Sequence, residues 1–169
     1  HLVAVRGARV VLTGGPTDME RGYGAAIQQA LGGPANGSVM NLIGQTRLKE
    51  LFAIIQAADL VICPDSGPAH MATAARVPVV GLYATSNRHR TGPYFSQRLV
   101  VDRYPEAVRQ EFGKPVEALR WGERVRDPGA MDLIRVEDVI GRIYEVLDGT
   151  LRPDGGPPAV AAPASDAGN

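Results

Sequence analysis

The run Asp65-Ser66-Gly67-Pro68-Ala69-His70 sets a carboxylate, a hydroxyl, a residue without Cβ and an imidazole in close succession. Three of these suit an anion. The Ser66 hydroxyl and a ring N–H of His70 can donate hydrogen bonds, and Gly67 allows a phosphate to come close to the main chain. Asp65 is the odd member, because its charge would repel a phosphate. A carboxylate aimed into such a site accepts hydrogen bonds from hydroxyl groups instead, such as those of a sugar.

Two apolar runs position these residues. Leu60-Val61-Ile62-Cys63 is predicted to be a short strand buried on both faces of a parallel sheet, and Val77-Pro78-Val79-Val80-Gly81-Leu82 is the next strand. Pro64 to Pro68 stops the first strand. Asp65 or Ser66 can cap a helix that accepts Pro68 in its first turn and continues on alanine-rich sequence to about Arg76. The result is a β-turn-α-β unit. Its helix N-terminus directs unpaired N–H groups and the positive end of its dipole past the carboxyl end of the strand, where open α/β sheets bind ligands. On the turn alone the commoner reading is a well-capped connection in which His70 is a surface or packing histidine.

After Leu82, the stretch Tyr83 to Tyr94 leaves the sheet at the same edge. Thr85, Ser86 and Asn87 could bond a sugar or phosphates there, and Arg88 or Arg90 could neutralise a diphosphate. A solvated basic loop is the other reading of Arg88, His89 and Arg90.

The chain has 169 residues, 44% of them hydrophobic and 21% charged, which suits a globular domain with a real core. Its formal net charge is zero, so no overall field favours nucleic acid or an anionic membrane. The single cysteine, Cys63, excludes an internal disulfide and sits in an apolar run as a buried, inert thiol. No segment reads as membrane-spanning or as a signal peptide, so the expectation is a soluble, cytoplasmic domain. Neither a glycine-rich loop ending in Lys-Ser or Lys-Thr, nor Cys/His metal spacing, nor a nucleophile elbow is present. With a helix terminus and His70 available for phosphates, no metal is required.

Ala8–Thr13 reads as the first strand, followed by the irregular Gly14-Gly15-Pro16 loop. A helix begins at Thr17 or Asp18 and runs to about Leu31, with Tyr23, Ala26, Ile27, Ala30 and Leu31 at helical spacing. Gly32–Ser38 is a loop and Val39–Leu42 a short strand. Leu48, Leu51, Ile54, Ile55 and Ala58 mark the buried face of a further helix. Amphipathic pieces follow at Pro105–Phe112 and Pro115–Trp121, with Trp121 in the core, and Val136–Leu147 is a helix with Val139, Ile140, Ile143 and Val146 inward. Residues 1–149 are expected to form one domain, and 150–169, rich in Pro, Ala and Gly, a disordered tail. His1 opens the chain without an initiator methionine, and Leu2, Val3 and Val5 look like the end of a helix, so a fragment of a longer protein is expected.

The run from Asp65 to Ala72, with Val77-Pro78-Val79-Val80-Gly81-Leu82-Tyr83 and Thr85, resembles the signature of the heptosyltransferase-like enzymes of glycosyltransferase family 9. Val10-Val11-Leu12-Thr13-Gly14-Gly15-Pro16, Asn41-Leu42-Ile43-Gly44-Gln45-Thr46-Arg47-Leu48-Lys49-Glu50-Leu51 and Thr91-Gly92-Pro93 are similar to further segments of that family. The likeness covers about residues 8 to 95. Ala84 and Arg88 depart from it, standing where members usually carry glycine and often proline.

The resemblance implies an α/β fold, a Rossmann-like parallel sheet of about five or six strands with helices on both faces, forming the C-terminal, donor-binding half of a GT-B enzyme. It implies transfer of heptose or a related sugar, with inversion, from an ADP-sugar to a lipid-linked saccharide of the lipopolysaccharide core. It places Gly15, Asp18, Thr46, Asp65, Ser66, Gly67, His70, Thr85 and Asn87 at the donor. Asp18 would bond the ribose hydroxyls, although helix capping explains it equally well, and the backbone at Thr46 would border the adenine. The catalytic base would lie in a missing N-terminal half, which would also carry the acceptor and any peripheral association with the cytoplasmic face of the inner membrane. No cofactor is implied beyond the ADP-sugar substrate. The alternatives are a nucleotide-sugar-binding module without transfer activity, or a GT-B-like epimerase or hydrolase of nucleotide sugars.

Overall fold

A computed structural model describes residues 1–33 and 37–149. The tail expected over 150–169 and part of the loop expected over Gly32–Ser38 lie outside the described residues. The chain divides into two compact units, one ending at Ile54 and the other beginning at Ile55.

In the first unit, helix α1 (Leu2–Arg6) ends at Gly7, whose φ of 62° is the left-handed conformation in which a helix commonly terminates. Strand β1 (Val10–Leu12) pairs in parallel with β2 (Val39–Asn41), Val11 opposite Met40. Helix α2 (Asp18–Ala30) connects them, as the sequence predicts. It packs toward the strands on a face that the apolar spacing does not indicate. Gly24 is buried, and a Cβ there would stand 2.5 Å from Ile43 Cδ1 and 2.9 Å from the Asn41 amide. Glu20, Gln28 and Leu31 lie on this glycine side and are half-buried, while Tyr23 and Ile27 are exposed. Helix α3 (Leu48–Gln56) buries Ile55, with Leu51 and Ile54 half-covered. Leu48, expected on the same inner face, is 73% exposed because it is the first residue of the helix.

The second unit is built on β3 (Val61–Pro64), β4 (Val79–Tyr83) and β5 (Val101–Asp102), hydrogen-bonded in that order and all parallel. The expected Rossmann-like α/β class therefore holds, with the five strands in hydrogen-bonded groups of two and three rather than in one ladder. Burial on both faces belongs to β4, where Val79, Val80 and Tyr83 have no exposed surface. It does not belong to β3, where Ile62 is 38% exposed. Side chains project from the faces of a sheet, and the face that carries Ile62 is less covered than either face of β4. Each fully buried valine contributes about 1.5–3 kcal/mol.

Helix α4 (Gly67–Ala74) follows β3 and presents Ala69 and Ala72 inward, both fully buried, so small side chains let it lie close to the strands. Short α5 (Arg88–Thr91), α6 (Tyr104–Phe112) and α7 (Val136–Leu147) complete the unit. Ala84, Tyr104, Ala107, Val108, Val125 and Ala130 form a core cluster. Strand β5 was hidden in the sequence by its two-residue length and the polar stretch after it. Trp121, expected in the core, is 73% exposed beside Gly122, whose φ is 90°. The only regular structure in the piece expected over Pro115–Trp121 is the 3-10 turn Val116–Ala118.

Candidate functional site

In the first unit the loops leaving β1 and β2 meet. The Gly44 N–H donates to the Gly14 carbonyl at 3.0 Å, and Gly44, at φ 71°, approaches Pro16 so closely that a Cβ would lie 3.1 Å from its Cα. The loop before α2 is held by a capping box. Thr17 accepts from the Glu20 N–H at 3.2 Å and donates its hydroxyl to Glu20 Oε2 at 2.6 Å, while the Gly15 N–H donates to Glu20 Oε1 at 2.9 Å. These donors hold the Glu20 carboxyl below its ordinary value, the Thr17 hydroxyl most of all. The Gly15 amide is thus engaged internally. Thr17 is the cap, so Asp18 is not; it is the first helical residue, exposed, with its carboxylate bonded to none of the described residues. Thr46 is half-buried between Gln45, whose N–H donates to the Leu42 carbonyl, and Arg47, whose N–H donates to Glu50 Oε2 at 2.7 Å.

In the second unit the turn after β3 takes the form that the sequence predicts, with one difference. Ser66 is the N-cap of α4 in extended conformation, but its side chain caps nothing; the hydroxyl donates back to the Pro64 carbonyl at 3.1 Å. The helix therefore begins without a side chain over its first N–H groups. Gly67 is exposed, and a Cβ there would meet nothing within 4 Å. Its φ is not positive either, so neither packing nor backbone geometry demands glycine at this position. His70 lies one turn on, exposed, with no side-chain partner among the described residues. Cys63 beneath the turn is a buried thiol, which burial raises to about 11.

Asp65 is only 12% exposed, and its Oδ2 accepts from Arg124 Nη2 at 2.7 Å. Sequence reasoning missed Arg124, which stands 59 residues away and carries no local signal. Glu20 was missed too, although Thr17-x-x-Glu20 is a legible capping pattern.

The loop after β4 is more committed than its composition suggests. The Thr85 carbonyl accepts from Val125 N–H at 3.0 Å. Ser86 is buried with its hydroxyl unpartnered among the described residues. Asn87 caps α5, its Oδ1 accepting from the His89 N–H at 2.9 Å. Arg88 is neither a free cation nor a solvated one: Nη1 donates to the Gln97 carbonyl at 3.1 Å and Nε lies 3.4 Å from Asp102 Oδ2. Arg90 lies over Gly122, where a Cβ would come within 3.0 Å of its guanidinium carbon. Ala84, the departure from the usual glycine, is fully buried in the core cluster. No cluster of His, Cys, Asp or Glu among the described residues could hold a metal ion, and no described helix is long and apolar enough to cross a membrane.

Comparison with known proteins finds similar chains. Lipopolysaccharide core heptosyltransferase OpsX of Haemophilus influenzae is 48% identical over 106 residues, covering 63% of this chain and 30% of that protein. Lipopolysaccharide heptosyltransferase 3 of Escherichia coli is 37% identical over 82 residues, covering 48% of this chain and 23% of the relative. The chain thus spans less than a third of the length of these relatives. A crystal structure of a family 9 glycosyl transferase from Veillonella parvula shares the fold, with a TM-score of 0.59 over 84% of this chain and 37% of that one, at 24% identity. The family model described as glycosyltransferase family 9 (heptosyltransferase) matches residues 1–121, and the chain belongs to that family.

Proposed function

We propose that this chain supplies the donor-binding part of an inverting GT-B glycosyltransferase that moves heptose, or a related sugar, from an ADP-sugar to a lipid-linked saccharide of the lipopolysaccharide core. Membership of family 9 and the names of the relatives support the reaction class. One observation carries the assignment of the site: α4 begins beyond the carboxyl end of β3 without a side-chain cap and with open space at Gly67.

The chemistry follows from that geometry. Negative charge grows on the departing diphosphate as the bond to the anomeric carbon breaks. Main-chain N–H groups at the start of α4, the Ser66 hydroxyl turned from Pro64, and a ring N–H of His70 stabilise this charge in place and so lower the barrier. Hydrogen bonds to charged groups contribute about 1.5–3 kcal/mol each. Asp65 keeps Oδ1 for a sugar hydroxyl, since Arg124 engages Oδ2. The Asp18 carboxylate suits the ribose diol and the Thr46 backbone the adenine edge; Thr85 and the Asn87 amide serve the sugar or phosphates. The enzyme would work in the cytoplasm, at the inner face of the membrane that holds its acceptor.

Calorimetry of the chain with ADP, UDP and GDP tests this reading. Weak binding with ADP preferred is expected, and a clear preference for UDP would overturn the adenine assignment. The chain alone should show no transfer from ADP-heptose; transfer by it would refute a site divided with further protein.

A further inference from the structure

The Asp65 carboxylate immediately precedes the N-cap of the helix proposed to receive the diphosphate, and there its charge opposes the ligand. The structure offers a resolution through Arg124. Its Nη2 donates to Asp65 Oδ2 at 2.7 Å, and its side chain is 50% exposed. A guanidinium carries five N–H donors in a planar fork, and Asp65 engages one nitrogen. No other described group accepts from Arg124, so the remaining donors are open.

The backbone beneath Arg124 is fixed on both sides. The Glu123 carbonyl accepts from the Tyr104 hydroxyl at 2.7 Å. The Val125 N–H donates to the Thr85 carbonyl at 3.0 Å, and the Val125 side chain is 4% exposed in the core cluster. Residue 124 is therefore held between two anchored neighbours, beside the loop that leaves β4. Arg88, the basic residue toward which the sequence points, is occupied by Gln97 and Asp102.

We propose that Arg124 is the cation that binds the donor diphosphate and that Asp65 is the positioning residue that aims it, an assignment that rests on the donor-binding reading above. The pair is neutral in sum, so the repulsion expected from Asp65 disappears. The carboxylate holds one edge of the fork, and the free edge is left for phosphate oxygens in the bidentate manner that arginine favours.

The test is calorimetric titration of the 169-residue chain with ADP and with inorganic pyrophosphate at two salt concentrations. Arg124→Ala should weaken both ligands about tenfold, a modest figure because the side chain is half exposed. It should also flatten the salt dependence, which loss of a merely structural contact would not do. Arg124→Lys should restore the salt dependence but only part of the affinity. Asp65→Asn is the sharper variant, because simple electrostatics expects the loss of a negative charge to tighten binding. Aiming requires the reverse: weaker binding, with Asp65→Asn adding little in the Arg124→Ala background. Wild-type affinity in Arg124→Ala, or tighter binding by Asp65→Asn, overturns this assignment while the donor reading stands. A wild-type chain that takes up neither ligand overturns both.

Discussion

The Tyr83 hydroxyl, at the end of β4, donates to the Thr91 carbonyl at 3.0 Å, so the loop that leaves the strand is fastened back to it eight residues later. Tyr83 has no exposed surface, and burial, reinforced by the nearby Asp65 charge, raises its phenol far above the ordinary value. The hydroxyl therefore stays neutral and keeps donating at neutral pH. Tyr83→Phe removes one donor and leaves the Thr91 carbonyl without it. The expected loss is about 0.5–1.5 kcal/mol, read as a lower urea midpoint at unchanged slope. An unchanged midpoint would mean that the loop is held without this bond.

Gly92 closes the same loop. Its N–H donates to the Arg88 carbonyl at 2.7 Å, and a Cβ would lie 2.3 Å from that oxygen and 2.6 Å from Gln97 Nε2. The first contact is with backbone and cannot be relieved by a side-chain rotation. Gly92→Ala should destabilise the chain by about 1–3 kcal/mol, the usual range for overpacking. Gly67→Ala, where the Cβ would meet open space, should leave thermal stability nearly unchanged while weakening ADP. If both glycines proved equally costly to stability, the open face at Gly67 would not be a ligand's space.

The contrast between these two glycines shows what was legible in the sequence. Chain order alone places Ser66, Gly67 and His70 at a strand-to-helix turn, because periodicity and Pro68 are local signals. Spacing also finds α2 and α7. It cannot say which face of a helix has a neighbour, so Tyr23 and Ile27 are exposed while Gly24 makes the close contact. Trp121 fails for a related reason: size predicts burial only where an element packs over the residue, and Gly122 turns the chain there. The pairing of Asp65 with Arg124 is tertiary, and nothing between the two residues announces it.

Two titrations have opposite signs. Glu20 is held below its ordinary value of 4.5, so its contribution to stability is present above that pH and lost as pH falls through the folded value. Glu20→Gln keeps the side-chain shape but can accept only one of the two hydrogen bonds. The melting-temperature gap between wild type and variant should be open at neutral pH and close on acidification below 4.5. A gap that persists unchanged into acid would assign the effect to packing. Cys63 moves upward, to about 11, so at pH 8 roughly one thiol in a thousand is ionised. A thiol reagent should label it slowly in the native chain and at once in urea; fast native labelling would contradict its burial.

His70 gives the most direct reading of the donor site. The ring is exposed on the first turn of α4 and bonds none of the described residues, so its removal should leave folding intact, as circular dichroism can verify. If the ring donates to the diphosphate, His70→Ala should weaken ADP by about 1–3 kcal/mol. The same variant should weaken inorganic pyrophosphate by a similar factor, because the contact is with phosphate and not with the nucleoside. Asp18→Ala should do the opposite, since a carboxylate directed at a ribose diol serves ADP and is irrelevant to pyrophosphate. Titrating both variants with both ligands therefore separates the two roles within one experiment. Equal affinity of His70→Ala and wild type for pyrophosphate would remove the imidazole from the phosphate site and leave the main-chain N–H groups of α4 to bind the anion.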